Sequence, residues 1–387
     1  MKFGLFYLPT HLPDSDRDVH THMHNIVEQV EYADRIGIDY AWLVEHHFVR
    51  HGGFLSANYA FLCYLAGRTK NIRLATGATV MALNDPVRVA EQAATLDQLS
   101  NGRFDLGVGR GFIRDEFDAF GVPMKESRER VEEGVDLVLK AWEGGPLEFD
   151  SKFRPKMSGL KILPTPYQKR PAIWNACLMS PESFEWTAQE GHNLLYVAYH
   201  VDHDLAAERI SWYRDALPKY GRKVEDHEVC CVYHAYFMED EDDARLKAVV
   251  DGPMGEYGKA GKEAASKPPD PEAYKGYDQR DKGTVELTFD RYFPFAVAAR
   301  DHEIPEGFRR QNPAPRERSL NARPAGRYPC SRSDVCRARA AGDPDDGRHG
   351  SRYRQDRRTR RRHHAVYRAE TIRRYVGAVY GAEPQQA

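Results

Sequence analysis

Short apolar runs alternate along the first 250 residues with longer segments whose apolar residues recur at helical spacing. The apolar runs predict buried strands, and the periodic segments predict helices. The predicted strands are Lys2–Leu8, Asp39–Val44, Ile72–Met81, Phe104–Val108, Ala172–Asn175, Leu194–Ala198 and Glu228–Phe237. The predicted helices are 20–36, 57–68, Pro86–Leu99, Ser127–Trp142, Pro181–Glu190, His203–Tyr220 and Glu239–Val250.

The alternation of strands and helices predicts a parallel sheet covered by helices. Repeated strand–helix units over about 250 residues favour an α/β fold of the (βα)8 TIM type, although a doubly wound open sheet also fits. Residues 255–283 are polar and rich in Gly, Lys and Pro. We expect them to form a long mobile loop, because such loops in barrels commonly act as active-site lids.

Composition narrows the class of protein. The chain has 387 residues, of which 41% are hydrophobic and 29% charged, and its net charge is −2. No apolar run reaches the ~18 residues that a membrane span needs. The start of the chain is too short and too polar for a signal peptide. Six scattered cysteines without a CxxC pair predict reduced thiols in a cytoplasmic protein, not a disulfide framework or a zinc site.

The C-terminal region differs from the rest. Residues 301–387 contain 20 Arg, no Lys and 11 acidic residues, and apolar periodicity is lost. We divide the chain into a barrel of residues 1–307 and an atypical tail of residues 308–387, in which no last strand–helix unit is readable. A shifted reading frame would produce such a tail, which we expect to be poorly ordered. A basic partner-binding tail is the alternative, and a single-base change that restores a closing unit tests the frame.

The basic run Arg357–Arg362 does not predict nucleic-acid binding, because it lacks interleaved aromatic residues and any binding fold.

Glu45-His46-His47 directly follows a predicted strand, at the end where barrel active sites lie. Strand alternation directs the two histidines to opposite sides, so one can face the barrel mouth as an acid or base. Both could instead be structural. The spacing is not that of HExxH, so we expect no metal site.

Two further motifs are suited to an anion. Gly107–Gly111 follows a strand and includes Arg110, whose guanidinium is a forked donor for phosphate, although a tight turn explains the glycines equally well. The segment 180–183 places Ser180 and Ser183 at a predicted helix start. Free N–H groups and hydroxyls there bind anions, or Ser180 simply caps the helix.

The ordered set of these segments resembles the bacterial luciferase-like, flavin-dependent monooxygenase family. The resemblance covers roughly residues 1–305. It rests on MKFGLFYLP, DYAWLVEHHF, the long block NIRLATGATVMALNDPVRVAEQAATLDQLSNGRFDLGVGRGF, and SPESFEWTAQEG.

The resemblance implies a barrel, usually dimeric, that binds reduced FMN supplied by a separate flavin reductase. In this family O2 adds to the reduced flavin to give a C4a-hydroperoxide, which oxidises a small organic substrate such as an aldehyde. A related barrel that transfers hydride to a deazaflavin remains an alternative. A flavin-binding protein that has lost catalysis is a third possibility.

The resemblance also implies roles for individual residues. His46 matches the family's catalytic histidine, and Glu116 lies where the luciferases place an acidic residue near the flavin. The Gly77-Ala78 segment matches backbone that lies against the isoalloxazine, often with a cis peptide. The residues that match flavin-phosphate ligands are Arg110, Arg128, Ser180 and Ser183.

Overall fold

The predicted strands form one parallel sheet. The computed structural model describes residues 2–10, 12, 18–199, 201, 203–238, 247–274 and 297–300. Its strands are β1 (Gly4–Tyr7), β2 (Tyr40–Leu43), β3 (Arg73–Thr76), β4 (Thr79–Val80), β5 (Phe104–Gly109), β6 (Leu147–Phe149), β7 (Met157–Leu160), β8 (Ile173–Cys177), β9 (Asn193–Val197), β10 (Val229–Val232), β11 (Ala235–Met238) and β12 (Val297–Arg300). The parallel order is β1-β2-β3-β5-β8-β9-β10, with β4 beside β5 and β11 beside β12. The sheet curves into a nearly closed barrel.

Helices on the outside connect successive strands. They are α1 (Val19–Ile36), α2 (Asn58–Arg68), α3 (Pro86–Leu99), α4 (Arg114–Phe120), α5 (Ser127–Trp142), α6 (Pro181–Glu190), α7 (His203–Ala216) and α8 (Gly255–Ala264). Local chemistry sets several ends. The Asp85 carboxylate caps α3 by accepting hydrogen bonds from the Val87 and Arg88 amides at 2.8 and 3.3 Å. At the end of α1, Gly37 adopts a φ of 86°, which favours glycine.

Aromatic side chains pack inside the barrel. Trp42 stacks on Tyr40 with ring centroids 5.3 Å apart and meets Trp174 edge-on at 5.2 Å. These residues belong to one buried cluster with side chains from β3, β9 and β10. This cluster fills the interior of the barrel, so a ligand has no room there. A ligand site is therefore expected among the residues that follow the carboxyl ends of the strands.

The segment predicted as a long mobile loop, residues 255–283, contains α8, so the prediction is wrong for residues 255–264. A π-helical turn at Val250–Met254 leads into this helix. Its buried face consists of Ala260 and Ala264, which are one turn apart. Alanine and glycine give a weak hydrophobic signal, which is why the polar composition obscured the helix. Residues 275–283 of the predicted loop lie outside the described residues.

A further strand pair, β11 and β12, follows β10. The sequence shows no readable closing unit of the barrel at this end of the chain. Residues Val297–Arg300 pair in parallel with Ala235–Met238. These two strands form a two-stranded sheet of their own, so the absence of a readable closing strand–helix unit stays a prediction. The tail 308–387 and its suspected frame shift lie outside the described residues.

Candidate active site

Two of the predicted catalytic residues form a pair beyond the carboxyl end of β2. His46 Nδ1 lies 3.1 Å from Glu116 Oε1, although the residues are 70 positions apart. Glu116 is fully buried on the short helix α4, and the same oxygen accepts a hydrogen bond from the His47 backbone amide at 2.8 Å. In the tautomer with the proton on Nδ1, His46 donates this hydrogen bond to the carboxyl oxygen. Nε2 is then the nitrogen that can exchange a proton with a bound molecule.

His47 makes a different pair, as the strand alternation predicted. Its Nε2 lies 3.0 Å from Glu45 Oε1. Glu45 also accepts hydrogen bonds from the Val80 amide at 3.0 Å and from Asn84 Nδ2 at 2.8 Å. The hydrogen bond that the His47 ring makes to the Glu45 carboxylate raises the pKa of His47 above its usual value, against a smaller opposite effect of burial. His47 and Glu45 therefore tie β2 to the segment around β4.

Three of the predicted phosphate ligands line one small cleft. Arg110 follows β5, Arg128 lies in the first turn of α5, and Ser183 lies in the first turn of α6. Ser180 is buried at the N-cap of α6, where within the described residues its side chain makes no capping hydrogen bond. The helix-cap interpretation therefore accounts for the position of Ser180 in the chain, but it gives no role to the Ser180 hydroxyl. Two guanidinium groups and a hydroxyl make the cleft suited to a phosphate.

One acidic side chain shares the cleft with these donors. Glu132 lines it beside Arg128 and Arg110. Burial raises the pKa of the Glu132 carboxyl, and the positive charges of the two arginines oppose this effect. A carboxyl that is more easily protonated repels an anion less and can donate a hydrogen bond to it. The donor set therefore remains compatible with a phosphate group.

The Gly77-Ala78 segment interrupts the predicted strand Ile72–Met81 between β3 and β4. The peptide bond between the two residues is cis. A Cβ at Gly77 would lie 2.7 Å from Phe6 Cε2, so a larger residue does not fit. Next to it, the Thr76 hydroxyl bonds both the Gly107 amide and the Gly107 carbonyl, at 2.9 and 2.7 Å. The structure thus presents bare backbone at the carboxyl edge of the sheet.

Sequence reasoning missed an aromatic cluster beside His46. The His51 ring lies 6.1 Å from the His46 ring and 4.8 Å from the Tyr257 ring of α8. The Tyr257 hydroxyl donates to Tyr199 at 2.9 Å, and Tyr199 stacks on His234 at 4.2 Å. Burial, and then His46 and His234, lower the pKa of His51 to about 3. His51 is therefore neutral at physiological pH. The residues come from distant segments, so no local motif revealed the cluster.

Gly52 is another residue beside His46 that the sequence did not identify. Its only signal in the sequence is its place in His51-Gly52-Gly53. Its φ is +75°, and a Cβ there would lie 2.8 Å from His46 Cδ2. Glycine is therefore needed both for the backbone conformation and for the position of the imidazole.

Within the described residues, no group of three or more His, Cys, Asp or Glu side chains is arranged to hold a metal ion. In the same part of the chain, no helix has the length and apolarity to cross a membrane.

The fold and site define a class of protein, a parallel βα barrel with a cleft lined by Arg110, Arg128 and Ser183 and a histidine–carboxylate pair at the carboxyl edge of its strands. The model of the luciferase-like monooxygenase family matches residues 1–312. The chain belongs to this family, as the sequence resemblance predicted.

Individual relatives agree with this assignment. The chain is 30% identical over 279 residues to the alkanal monooxygenase alpha chain of Photorhabdus luminescens. These residues cover 72% of this chain and 75% of the relative. It is 29% identical over 256 residues to the oxygenase component of flavin-dependent trigonelline monooxygenase of Acinetobacter baylyi, covering 64% and 68%. The crystal structure of the monooxygenase RslO1 from Streptomyces bottropensis is similar, with a TM-score of 0.63, 28% identity, and coverage of 81% of this chain and 95% of that one.

Proposed function

We propose that this protein is the oxygenase component of a two-component system. It takes reduced FMN from a separate reductase and uses O2 to oxidise a small organic substrate, an aldehyde or a similar compound. The observation that carries the proposal is that Arg110, Arg128 and Ser183 converge on one cleft. This cleft and His46 both lie at the carboxyl edge of the barrel strands. Two of the similar proteins are named as an alkanal monooxygenase and as a flavin-dependent oxygenase component.

The cleft residues hold the phosphate of FMN. Arg110 and Arg128 supply charge-assisted hydrogen bonds, and the hydroxyls of Ser180 and Ser183 supply neutral ones. The start of α6 adds its N-terminal partial positive charge. Each charge-assisted contact contributes about 1.5–3 kcal/mol.

The backbone of Gly77-Ala78 would hold the isoalloxazine, while the Phe6 ring packs against Gly77. When bound, reduced flavin supplies the electrons that activate O2 for transfer of one oxygen atom. The protein's contribution is to bind, orient and shield the reacting groups. Helix α8, through Tyr257 and its contact with His51, covers the His46 side and limits the access of water.

His46 exchanges a proton at Nε2 during oxygen transfer. Glu116 accepts the hydrogen bond from Nδ1, which orients the ring and stabilises its protonated form when the proton arrives. A carboxylate that is buried and already bound to the His47 amide cannot turn away. The pair thus supplies a general acid and base at a fixed place.

Rapid mixing of the protein with reduced FMN and aerated buffer tests this function. We expect a transient absorbance spectrum that differs from those of reduced and oxidised FMN, and tighter binding of reduced than of oxidised FMN. An Arg110→Ala variant is the matched control, because it should lose the transient at the same flavin concentration. Flavin that oxidises as it does free in buffer, or hydride transfer to a deazaflavin in its place, contradicts the proposal.

We further propose that the chain works as a homodimer in the cytoplasm, without nucleic acid or a membrane as partner. Sedimentation of the purified protein over a range of concentrations tests the dimer. A single monomeric species at all concentrations contradicts it.

A further inference from the structure

The chain beyond α8 returns to the phosphate cleft. Tyr274 is 2% exposed, although it lies 163 positions after Gly111, to whose carbonyl oxygen its hydroxyl donates at 2.8 Å. The same hydroxyl lies 2.9 Å from Ser127 Oγ. Residues 255–274, which we call the strap, therefore reach the start of α5 and the end of β5.

The strap contacts the guanidinium of Arg110 directly. The Arg110 Cζ lies 4.2 Å from the centroid of the Tyr274 ring. Arg110 Nη2 donates to the Ala273 carbonyl at 2.9 Å and to Ser127 Oγ at 3.0 Å. Arg110 stands between Gly109 and Gly111, which have no side chains that could hold it in place. The strap and Ser127 thus both contribute to its orientation.

We propose that Tyr274 is a positioning residue for the flavin phosphate: it holds the Arg110 guanidinium in place, so that binding of the phosphate and docking of the strap reinforce each other. The inference rests on the proposed function, in which Arg110 is a phosphate ligand. A guanidinium stacked on a ring has lost its conformational freedom before the ligand arrives, so less entropy is lost on binding. By thermodynamic reciprocity, the phosphate stabilises the docked strap by the same factor.

The strap also reaches the catalytic side of the barrel. The Arg50 guanidinium bonds Glu263 Oε2 with distances of 2.6 and 2.9 Å, and Tyr257 packs on His51, next to His46. A phosphate that favours the docked strap therefore also favours the covered state of His46. Riboflavin lacks the phosphate, and it should occupy the ring site without this effect.

The test compares the dissociation constants of FMN and riboflavin in the full-length protein. We expect Tyr274→Leu to weaken FMN binding about 10–30-fold, the loss of a desolvated cation–π contact, and to change riboflavin binding less than threefold. Tyr274→Phe keeps the ring and should retain most of the preference for FMN. Tyr213→Leu is the matched control, since Tyr213 is buried and its hydroxyl donates to the His192 carbonyl and not to a residue that lines the cleft. It should lower stability without changing the ratio of the two constants.

Hydrogen exchange of the wild-type strap gives a second measurement that needs no folded variant. We expect FMN to protect residues 255–274 more than riboflavin does at equal saturation. Equal protection by both ligands, or an unchanged ratio of constants in Tyr274→Leu, overturns the inference. If the wild-type protein itself binds riboflavin as tightly as FMN, the phosphate site fails, and the proposed function fails with it.

Discussion

The contact between His46 and Glu116 leads to a prediction about how the two residues share one task. Replacing Glu116 with Gln keeps an oxygen for His46 Nδ1 and for the His47 amide but removes the charge. A hydrogen bond to a charged group contributes about 1.5–3 kcal/mol and a neutral one about 0.5–1.5. The difference of about 1–1.5 kcal/mol corresponds to a rate loss of about 5–15-fold. Removal of the imidazole in His46→Ala should cost more, about 10²–10⁴-fold.

The combination of the two changes gives the decisive measurement. If Glu116 acts through the imidazole, Glu116→Gln should cost nothing further in a chain that already carries His46→Ala. Turnover is measured with the best substrate from a panel of aldehydes and ketones, at saturating reduced FMN. Thermal melts run alongside, because the new amide is buried where Glu116 Oε2 has no hydrogen-bond partner among the described residues.

A full additional loss in the double variant, or wild-type turnover in His46→Ala, would refute this reasoning. His47→Ala is the matched control at the neighbouring position. We expect it to act on stability, because the His47 side chain bonds Glu45, and the backbone amide that bonds Glu116 is kept in the variant. Neither His46→Ala nor its control should change the FMN dissociation constant.

Three further predictions concern flavin binding and pH. Arg110→Ala and Ser180→Ala should weaken FMN binding, the first by about 10–150-fold; titration calorimetry measures both, and unchanged constants place the phosphate elsewhere. Because Glu45 raises the pKa of His47, this pair stabilises the fold fully below pH ~6.5, and the contribution is lost as pH rises through the higher folded value. Urea unfolding should therefore show a larger deficit for His47→Gln at pH 5.5 than at pH 8.5. Glu132→Gln should tighten FMN binding above the raised pKa of Glu132 and leave it unchanged below that value. An equal stability deficit of His47→Gln at pH 5.5 and pH 8.5 contradicts the first pH argument. An equal effect of Glu132→Gln on FMN binding above and below the raised pKa contradicts the second.

Much of the barrel could be read from local pattern, because its helices carry clear starts. Pro86–Leu99, Ser127–Trp142 and Pro181–Glu190 agree at both ends with the sequence prediction. The short helix α4 and the β6–β7 hairpin were missed, since a seven-residue helix and strands of three and four residues leave too little periodicity.

The candidate site was only partly predictable from the sequence. Strand ends pointed to Glu45-His46-His47 and to Gly107–Gly111, because the carboxyl ends of parallel strands meet at one edge. The family resemblance selected His46 over His47 and indicated Glu116 near the flavin, but the contact between His46 and Glu116 was not predicted. The contact from Arg110 to Tyr274 joins segments 163 positions apart, and it depends on how the strap folds back over the barrel. No pattern within one segment contains that information.

The three histidines of the His46 region differ in what their neighbours allow. His47 is bound to Glu45, which the Val80 amide holds in place, so its role is to connect the strands. His51 has a pKa of about 3, because it is buried and faces His46 and His234, and it therefore stays neutral under Tyr257. A second positive charge beside His46 would oppose protonation of the catalytic ring, whereas a neutral His51 does not. Under the proposed function, proton exchange at the barrel mouth thus falls to His46 alone among the three, and the contact of its Nδ1 with Glu116 holds the ring in place for this exchange.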